Sequence, residues 1–386
     1  MRRVSLESVQ PGMIVARTIY SSEGRVLLTA GMELSEKYIK RLFELGLSSI
    51  YIKDEIFDSA EIVDVISEET RLETTIMVKN SFQALEYKQR MNIRAVKDTV
   101  EHLIDELLSN REIMINLVDI RTFDDYTFSH SVNVCVLSLM TGITRGFHQL
   151  KLMELGVGAL LHDIGKIRLA RELISKPGEL TREEYMEIKR HCEYGYDILR
   201  NYDEMPLLSA HIAFQHHEQW HGKGYPRGLV GEEIHDYARI VAVADVYDAL
   251  LADRPYRPAY SVNQAVTIIS RMANVQLDPR SVASLVANIA IFPVGSVVKL
   301  NTGEIGIIMD VNKDSPTRPI IRVVFDRFLT RLKQPHEIDL TRLSTIYVAK
   351  SLSEEEIIEL INESNATNGN GKNNGNGAKV NINKQK

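Results

Sequence analysis

At 386 residues, 44% hydrophobic and 25% charged, the chain is long enough for about two or three domains and a sizeable buried core. Its 46 lysines and arginines against 52 aspartates and glutamates leave a formal net charge of −6, which excludes a surface that coats polymeric nucleic acid or anionic membrane as a whole. Two cysteines, Cys135 and Cys192, exclude a disulfide scaffold and a four-cysteine zinc site, and read as buried thiols of a reducing compartment.

The opening MRRVSLESVQPGM carries no apolar core of the signal-peptide kind, and no stretch reaches about 18 uninterrupted apolar residues, so a cytoplasmic protein without membrane contact is expected. Residues 1–60 alternate apolar runs (GMIVARTIY, VLLTAGMEL, SSIYIKD) with turn residues, and enclose SEKYIKRLFELG. This predicts a small α+β domain whose helix is capped by Ser35 and stopped by Gly46. An input or interaction role and passive packing both fit it. Residues 61–108 read as a helical linker, with Ile62, Val65, Ile66, Ile76, Phe82, Leu85, Ile93, Val96, Val100, Leu103 and Leu107 at mixed three- and four-residue spacing. A signalling coiled coil that dimerises the chain and connector helices packed on the main domain are both consistent with that spacing.

Residues 109–290 form the largest unit, predicted almost entirely helical over 128–142, 149–162, 181–200, 205–218, 236–253 and 262–273. Residues 291–350 change texture: FPVGSVVKL, EIGIIMDV, PIIRVVFD and STIYVAK predict a small β-rich domain. A short helix follows within 351–386, and from Asn365 an Asn-, Gly- and Lys-rich tail cannot bury enough surface to order itself.

Nine of the 11 histidines lie between His130 and His235, where an even spread would place about three. In LLHDIGK, His162 and Asp163 adjoin at a helix end, where both can reach one cavity and an aspartate can bridge two ions. The predicted helix 236–253 is apolar almost all round over Ile240–Leu251 yet holds Asp245 and Asp248 on one face. A buried carboxylate needs a cation, so metal or salt bridges to arginines such as Arg239 or Arg254 would satisfy them. His216-His217-Glu218 closes another helix before a Gly-rich loop, where consecutive histidines can serve two different metals. His130 and His191 sit on the polar borders of two amphipathic helices, where each alone reads as a surface or satisfied histidine. Together, imidazole and carboxylate donors without thiolate suit iron, manganese or zinc in a two-metal site, the standard device for in-line attack on phosphorus. Lys166 and the arginines of RPYR, Arg254 and Arg257, are natural phosphate clamps.

Read together, HSVNV at His130, HDIGK at 162–166, HCEYGYDIL at His191, HHE at 216–218, Gly224-Tyr225-Pro226 and ADVYDALLADRPYR at 244–257 resemble the HD-GYP family. The resemblance covers roughly residues 110–290. It implies a mainly α, HD-type helical bundle, flanked here by the small N-terminal α+β and C-terminal β domains. It implies a metal-dependent phosphodiesterase that hydrolyses cyclic di-GMP to pGpG, with some members continuing to GMP, through hydroxide held between two divalent ions, usually iron or manganese. Carried over residue by residue, the metal ligands are His130, His162, Asp163, His191, His216, His217 and Asp245, with Asp163 bridging and Asp163 and Lys166 catalytic. Lys166, Tyr225, Asp248, Arg254 and Arg257 match positions that contact substrate or support the site. Some relatives carry a glutamate four residues before the first histidine that supports a third metal; Tyr126 stands there, so two ions are expected, and Asp124 is left to approach the substrate. His221 stands in the loop where many relatives have an acidic residue. The loop is also where signalling proteins would dock. A sensor or docking module that keeps the fold, and an HD phosphohydrolase of another nucleotide, are the alternatives. All seven core ligands are present, which weighs against the sensor.

Overall fold

The computed structural model describes residues 1–21, 25–45, 47, 49–54, 56–57, 64–115, 126–174, 176, 178–252 and 259–369. Among the described residues, four strands, one α-helix and a 3-10 turn (Leu6–Ser8) build the N-terminal unit. β1 (Arg2–Ser5) pairs antiparallel with β4 (Ser49–Ile52), and β2 (Ile19–Tyr20) pairs with β3 (Val26–Leu28). The helix α1 (Glu36–Glu44) lies between β3 and β4, with the Ser35 hydroxyl accepting from Tyr38 N–H as the sequence predicts. Gly46, the expected stop, lies outside the described residues, and Leu45 is the C-cap. Val4, Leu6, Leu34, Leu42 and Ile50 are among the residues of this unit's own core.

The helices α2 (Glu68–Glu86) and α3 (Ile93–Ser109) decide between the two readings of the stretch that holds them. Val96, Val100, Leu103, Ile104 and Leu107 of α3, and Val78 and Phe82 of α2, are buried in the same core as the helices that follow. Packing on the bundle, not a free coiled coil, takes up these apolar residues. The bundle continues with α4 (Tyr126–Thr144), α5 (Gln149–Leu160), a 3-10 turn (Ile164–Arg168), α6 (Arg171–Ile174), α7 (Arg182–Lys189), α8 (His191–Leu199), α9 (Leu207–Gln215), α10 (Asp236–Leu251), α11 (Val262–Met272) and α12 (Pro279–Val286). The segment expected as one helix over 181–200 breaks at Arg190, so His191 opens a new helix instead of standing mid-helix. The helix expected to reach residue 218 stops at Gln215, which releases His216 and His217 from helical spacing. Leu155, Leu160, Ile212, Ile240, Val241 and Tyr247 are buried from all sides, and burying each such side chain contributes about 1.5–3 kcal/mol.

The C-terminal domain is a five-stranded antiparallel sheet of β5 (Val297–Leu300), β6 (Ile305–Asp310), β7 (Ile320–Phe325), β8 (Arg331–Asp339) and β9 (Val348–Ser351), in the order β8-β7-β6-β5-β9. The sequence reading lacked β8: RLKQPHEID is polar, mostly exposed, and carries Pro335, which only an edge strand tolerates. α13 (Glu354–Gly369) covers one face of the sheet through Ile357 and Leu360. Phe57, from the segment after β4, is fully buried against Phe325 of that face, and Ser5 N–H donates to Glu354, so the N- and C-terminal units touch. The tail read as disordered lies, from residue 370 on, outside the described residues. Among the described residues no helix is long and apolar enough to cross a membrane.

Candidate metal centre

Five elements deliver the histidines and aspartates to one place. His130 comes from α4, His162 and Asp163 from the turn that ends α5, and His191 from the first residue of α8. His216 and His217 follow the end of α9, and Asp245 stands on α10. His130 and His191, read singly as surface or satisfied histidines, are both buried and hydrogen-bonded through Nδ1. Two sets of donor atoms result, Asp163, His191, His216 and His217 in one and His130, His162 and Asp245 in the other, each within 4.8 Å of its own members. The two consecutive histidines thus fall in one set, although His217 Nδ1 also faces Asp245 at 3.8 Å.

Asp163 joins the sets. Its Oδ1 lies 3.5 Å from His191 Nε2 and 3.8 Å from His216 Nε2, while Oδ2 lies 3.4 Å from His162 Nε2 and 4.0 Å from His130 Nε2. Four of the five imidazoles are held through Nδ1. His162, His191 and His216 donate Nδ1–H to the carbonyls of Ala159, Ile188 and Ala213 at 2.7, 2.6 and 3.0 Å. His130 donates Nδ1–H to Asp248 Oδ2 at 2.6 Å. In all four Nε2 is the nitrogen aimed at the carboxylates, the one a ligating histidine offers to a metal.

Burial works against charge here, and the neighbours decide the outcome. Burial pushes the His191 imidazole down to about 4 and the His217 imidazole well below its usual value. Burial also opposes a charge on His130, but the carboxylates of Asp245 and Asp248 overcome it and lift that group to about 9. Asp163 resists its own burial because Lys166 and His162 stand beside it, and its carboxyl stays well below the carboxylate range. Asp245 is likewise held ionised against burial by His130. Among the described residues, two buried polar atoms at the centre, His162 Nε2 and Asp163 Oδ1, have no hydrogen-bond partner, and His191 Nε2 faces His216 Nε2 at 3.3 Å, lone pair toward lone pair. Such contacts are costly unless a cation sits among them. An ionised carboxylate pair, oriented Nε2 lone pairs and orphaned acceptors fit divalent metal.

The residues expected to meet substrate divide. Lys166, partly exposed, sits on Asp163 Oδ2 at 2.5 Å, at the rim of the centre. Tyr225 packs its ring 4.8 Å from that of His217, with Lys189 over its face at 5.0 Å. Asp248 is fully buried, with Oδ1 taking Asn133 Nδ2–H at 2.9 Å and Oδ2 taking His130, and so supports a donor, one of the two roles the resemblance implies for it. Arg239, read as a possible salt-bridge partner of Asp245 and Asp248, pairs with Asp236 at 3.1 Å. Asp124, Arg254 and Arg257 lie outside the described residues.

Two further residues escaped the sequence reading. Asn133 stands three after His130 on the same face of α4, a spacing that could have flagged it. Glu218, 3% exposed, accepts the backbone N–H groups of Arg227 and Leu229 at 2.8 and 2.9 Å and so ties down the Gly224-Tyr225-Pro226 loop. Gly224 is obligatory there, because a Cβ would stand 2.2 Å from Gln219 N and 2.5 Å from Glu218 Cα. Glu218→Ala orphans two N–H groups, at about 1–3 kcal/mol in all. It is expected to lower the urea midpoint and open residues 219–231 to limited proteolysis; an unchanged cleavage pattern would count against this role.

A helical bundle presenting histidines and aspartates from five elements to one buried centre defines a protein of the HD class. Comparison with known proteins agrees. Residues 90–281 match the HD domain family and residues 297–360 the KOW domain associated with HD domains. Residues 90–281 are an HD domain of the HD-GYP type. It is 33% identical over 250 residues to a cyclic di-GMP phosphodiesterase of Pseudomonas aeruginosa, covering 64% of this chain and 60% of that one. It is 45% identical over 130 residues to a cyclic di-GMP phosphodiesterase response regulator of Xanthomonas campestris, covering 33% and 34%, and 35% identical over 168 residues to a 3′3′-cGAMP-specific phosphodiesterase of Vibrio cholerae, covering 44% and 36%. The chain thus spans three-fifths or less of the length of these relatives. The solved structure of an HDGYP protein from Bdellovibrio bacteriovorus superposes with a TM-score of 0.50 at 18% identity, over 73% of this chain and 97% of that one, a likeness of fold.

Proposed function

We propose that the protein is a phosphodiesterase that opens cyclic di-GMP to linear pGpG at a two-metal centre. The observation that carries this reading is Asp163, one carboxylate facing two donor sets with a different oxygen each. His191, His216, His217 and Asp163 would hold one ion, and His130, His162, Asp245 and Asp163 the other. Imidazole and carboxylate donors suit iron, manganese or zinc, and the family resemblance points to iron or manganese. Such a pair of ions supplies Lewis acidity at the phosphate oxygens and water made nucleophilic at neutral pH.

The chain's own residues do the rest. Carbonyls and Asp248 orient the Nε2 lone pairs, so the centre is preorganised before any ligand arrives. Lys166 stands at the rim, where its ammonium can neutralise a non-bridging phosphate oxygen. Arg254 and Arg257 are proposed as further clamps on the dinucleotide's two phosphates, and Asp124 and Tyr225 as contacts to its bases or sugars. Local cations and metal, not the net charge of −6, set the field that a doubly anionic substrate meets.

A second reading, 3′3′-cGAMP as the preferred substrate, is favoured by the relatives of that specificity, whose identity of 35% over 168 residues rivals that of the cyclic di-GMP enzymes. Product analysis after anaerobic reconstitution with Fe(II) and, separately, Mn(II) tests both. The expected result is linear pGpG, with kcat/KM for cyclic di-GMP at least ~10-fold above that for cGAMP, equivalent to ~1.4 kcal/mol. The reverse ratio would favour the second reading. Bound nucleotide without linear product would overturn both in favour of a sensor.

A further inference from the structure

The centre is supported by a residue from outside the stretch that matches the HD domain. Arg71 stands on α2, before residue 90, and its Nη1 donates to Asn133 Oδ1 at 2.7 Å. Asn133 is wholly buried, and its amide faces two different partners. On one side it meets a guanidinium, which only donates. On the other it meets the Asp248 carboxylate at 2.9 Å, which only accepts. One amide orientation satisfies both, with oxygen toward Arg71 and nitrogen toward Asp248. A flipped amide would set oxygen against carboxylate oxygen and N–H against N–H. Asp248, held by that nitrogen, accepts His130 Nδ1–H and leaves His130 Nε2 facing Asp245 at 3.2 Å.

We propose that Arg71 is a positioning residue for the metal centre, locking the Asn133 amide so that Asp248 fixes the ring and tautomer of His130. The proposal rests on the reading of His130 as a metal ligand in a phosphodiesterase. Its physical basis is a run of short, well-matched hydrogen bonds, Arg71 to Asn133 to Asp248 to His130, of which the last three residues are buried. Residues that orient a ligand from behind typically matter by 10–100-fold in metal affinity or activity. α2 itself is anchored independently. Val78 and Phe82 are buried in the bundle core, with the Phe82 ring edge-on to Phe128 at 5.5 Å between centroids, so loss of the guanidinium should leave the helix in place.

The test uses the full chain as Arg71→Ala, Arg71→Lys, Asn133→Ala and the Arg71→Ala/Asn133→Ala double variant, with His130→Ala as control. Mn(II) binding is read by titration and by the EPR signal of the bound ion, and turnover of cyclic di-GMP by kcat and KM separately. Arg71→Ala is expected to weaken Mn(II) binding and lower kcat by ~10-fold each, with KM unchanged and an altered Mn(II) signal. Arg71→Lys, which keeps a donor, should recover part of the loss. The double variant should be no worse than Asn133→Ala alone, because the two act in series. Wild-type Mn(II) affinity and kcat in Arg71→Ala, whatever its melting temperature, or additive losses in the double variant, would overturn the proposal. If Arg71→Ala does not fold, Arg71→Met, which keeps the apolar stem, answers the same question. A fully active, fully metallated His130→Ala would instead overturn the reading beneath it.

Discussion

Asp163→Asn is expected to lose bound metal and hydrolytic turnover together. The substitution is isosteric, so the bundle should fold, but one neutral amide cannot replace a carboxylate whose two oxygens face different donor sets. The nitrogen of the amide would point a donor at one of the two places where a cation needs an acceptor. Lys166 would also lose its partner at the rim. A turnover loss of at least ~10³-fold is expected, equivalent to ~4 kcal/mol of barrier. The checks are metal content by mass spectrometry on the purified chain and product formation from cyclic di-GMP. A variant that kept its metal and full turnover would remove Asp163 from the centre and with it the two-metal reading.

Gly165→Ala should be as damaging without touching a donor atom. The 3-10 turn after His162 and Asp163 crosses α8 backbone to backbone, and a Cβ at Gly165 would stand 1.9 Å from the His191 carbonyl oxygen and 2.4 Å from Gly195 N. Ordinary contacts begin at 3.4 Å, and neither obstacle is a flexible side-chain end. Something must move, and what moves is either Asp163 or His191, whose Oδ1 and Nε2 now face each other at 3.5 Å. Overpacking of this kind costs about 1–3 kcal/mol and sometimes more. The expected result is a lower melting temperature and at least ~10-fold weaker Mn(II) binding, because a displaced ligand set loses affinity by factors of that size. Wild-type stability and wild-type metal affinity in Gly165→Ala would show that the crossing tolerates a methyl group.

The same crossing explains how much of the site could be read without coordinates. HDIGK carries its glycine for a reason that no local pattern expresses, since the atoms that exclude a Cβ belong to a helix some 26 residues further on. The donors themselves were legible, because histidine and aspartate at helix ends and on an all-apolar helix are conspicuous. Their burial was only partly legible. His191 looked like a border residue because the break at Arg190 has no glycine or proline to mark it. Which of its two implied roles Asp248 takes was not legible, because whether an acid on α10 faces a cavity or Asn133 depends on how α4 packs against it. β8 was missed since an exposed polar edge strand shows no alternation of apolar and polar residues.

Composition, periodicity and residue chemistry by themselves determined the helical class of the central unit, the β texture of the C-terminal domain and the short list of residues able to bind a cation. These are local properties, set by side-chain type and by spacings of two to four residues. Tertiary structure alone decided that seven donors fall into two sets, that one carboxylate faces both, and that α2 and α3 belong to the bundle core. It also decided that Arg71 and Asn133 stand behind His130, whose partner Asp248 is 118 residues away. Contacts at such separations are fixed by the packing of whole helices, and no window along the chain contains them.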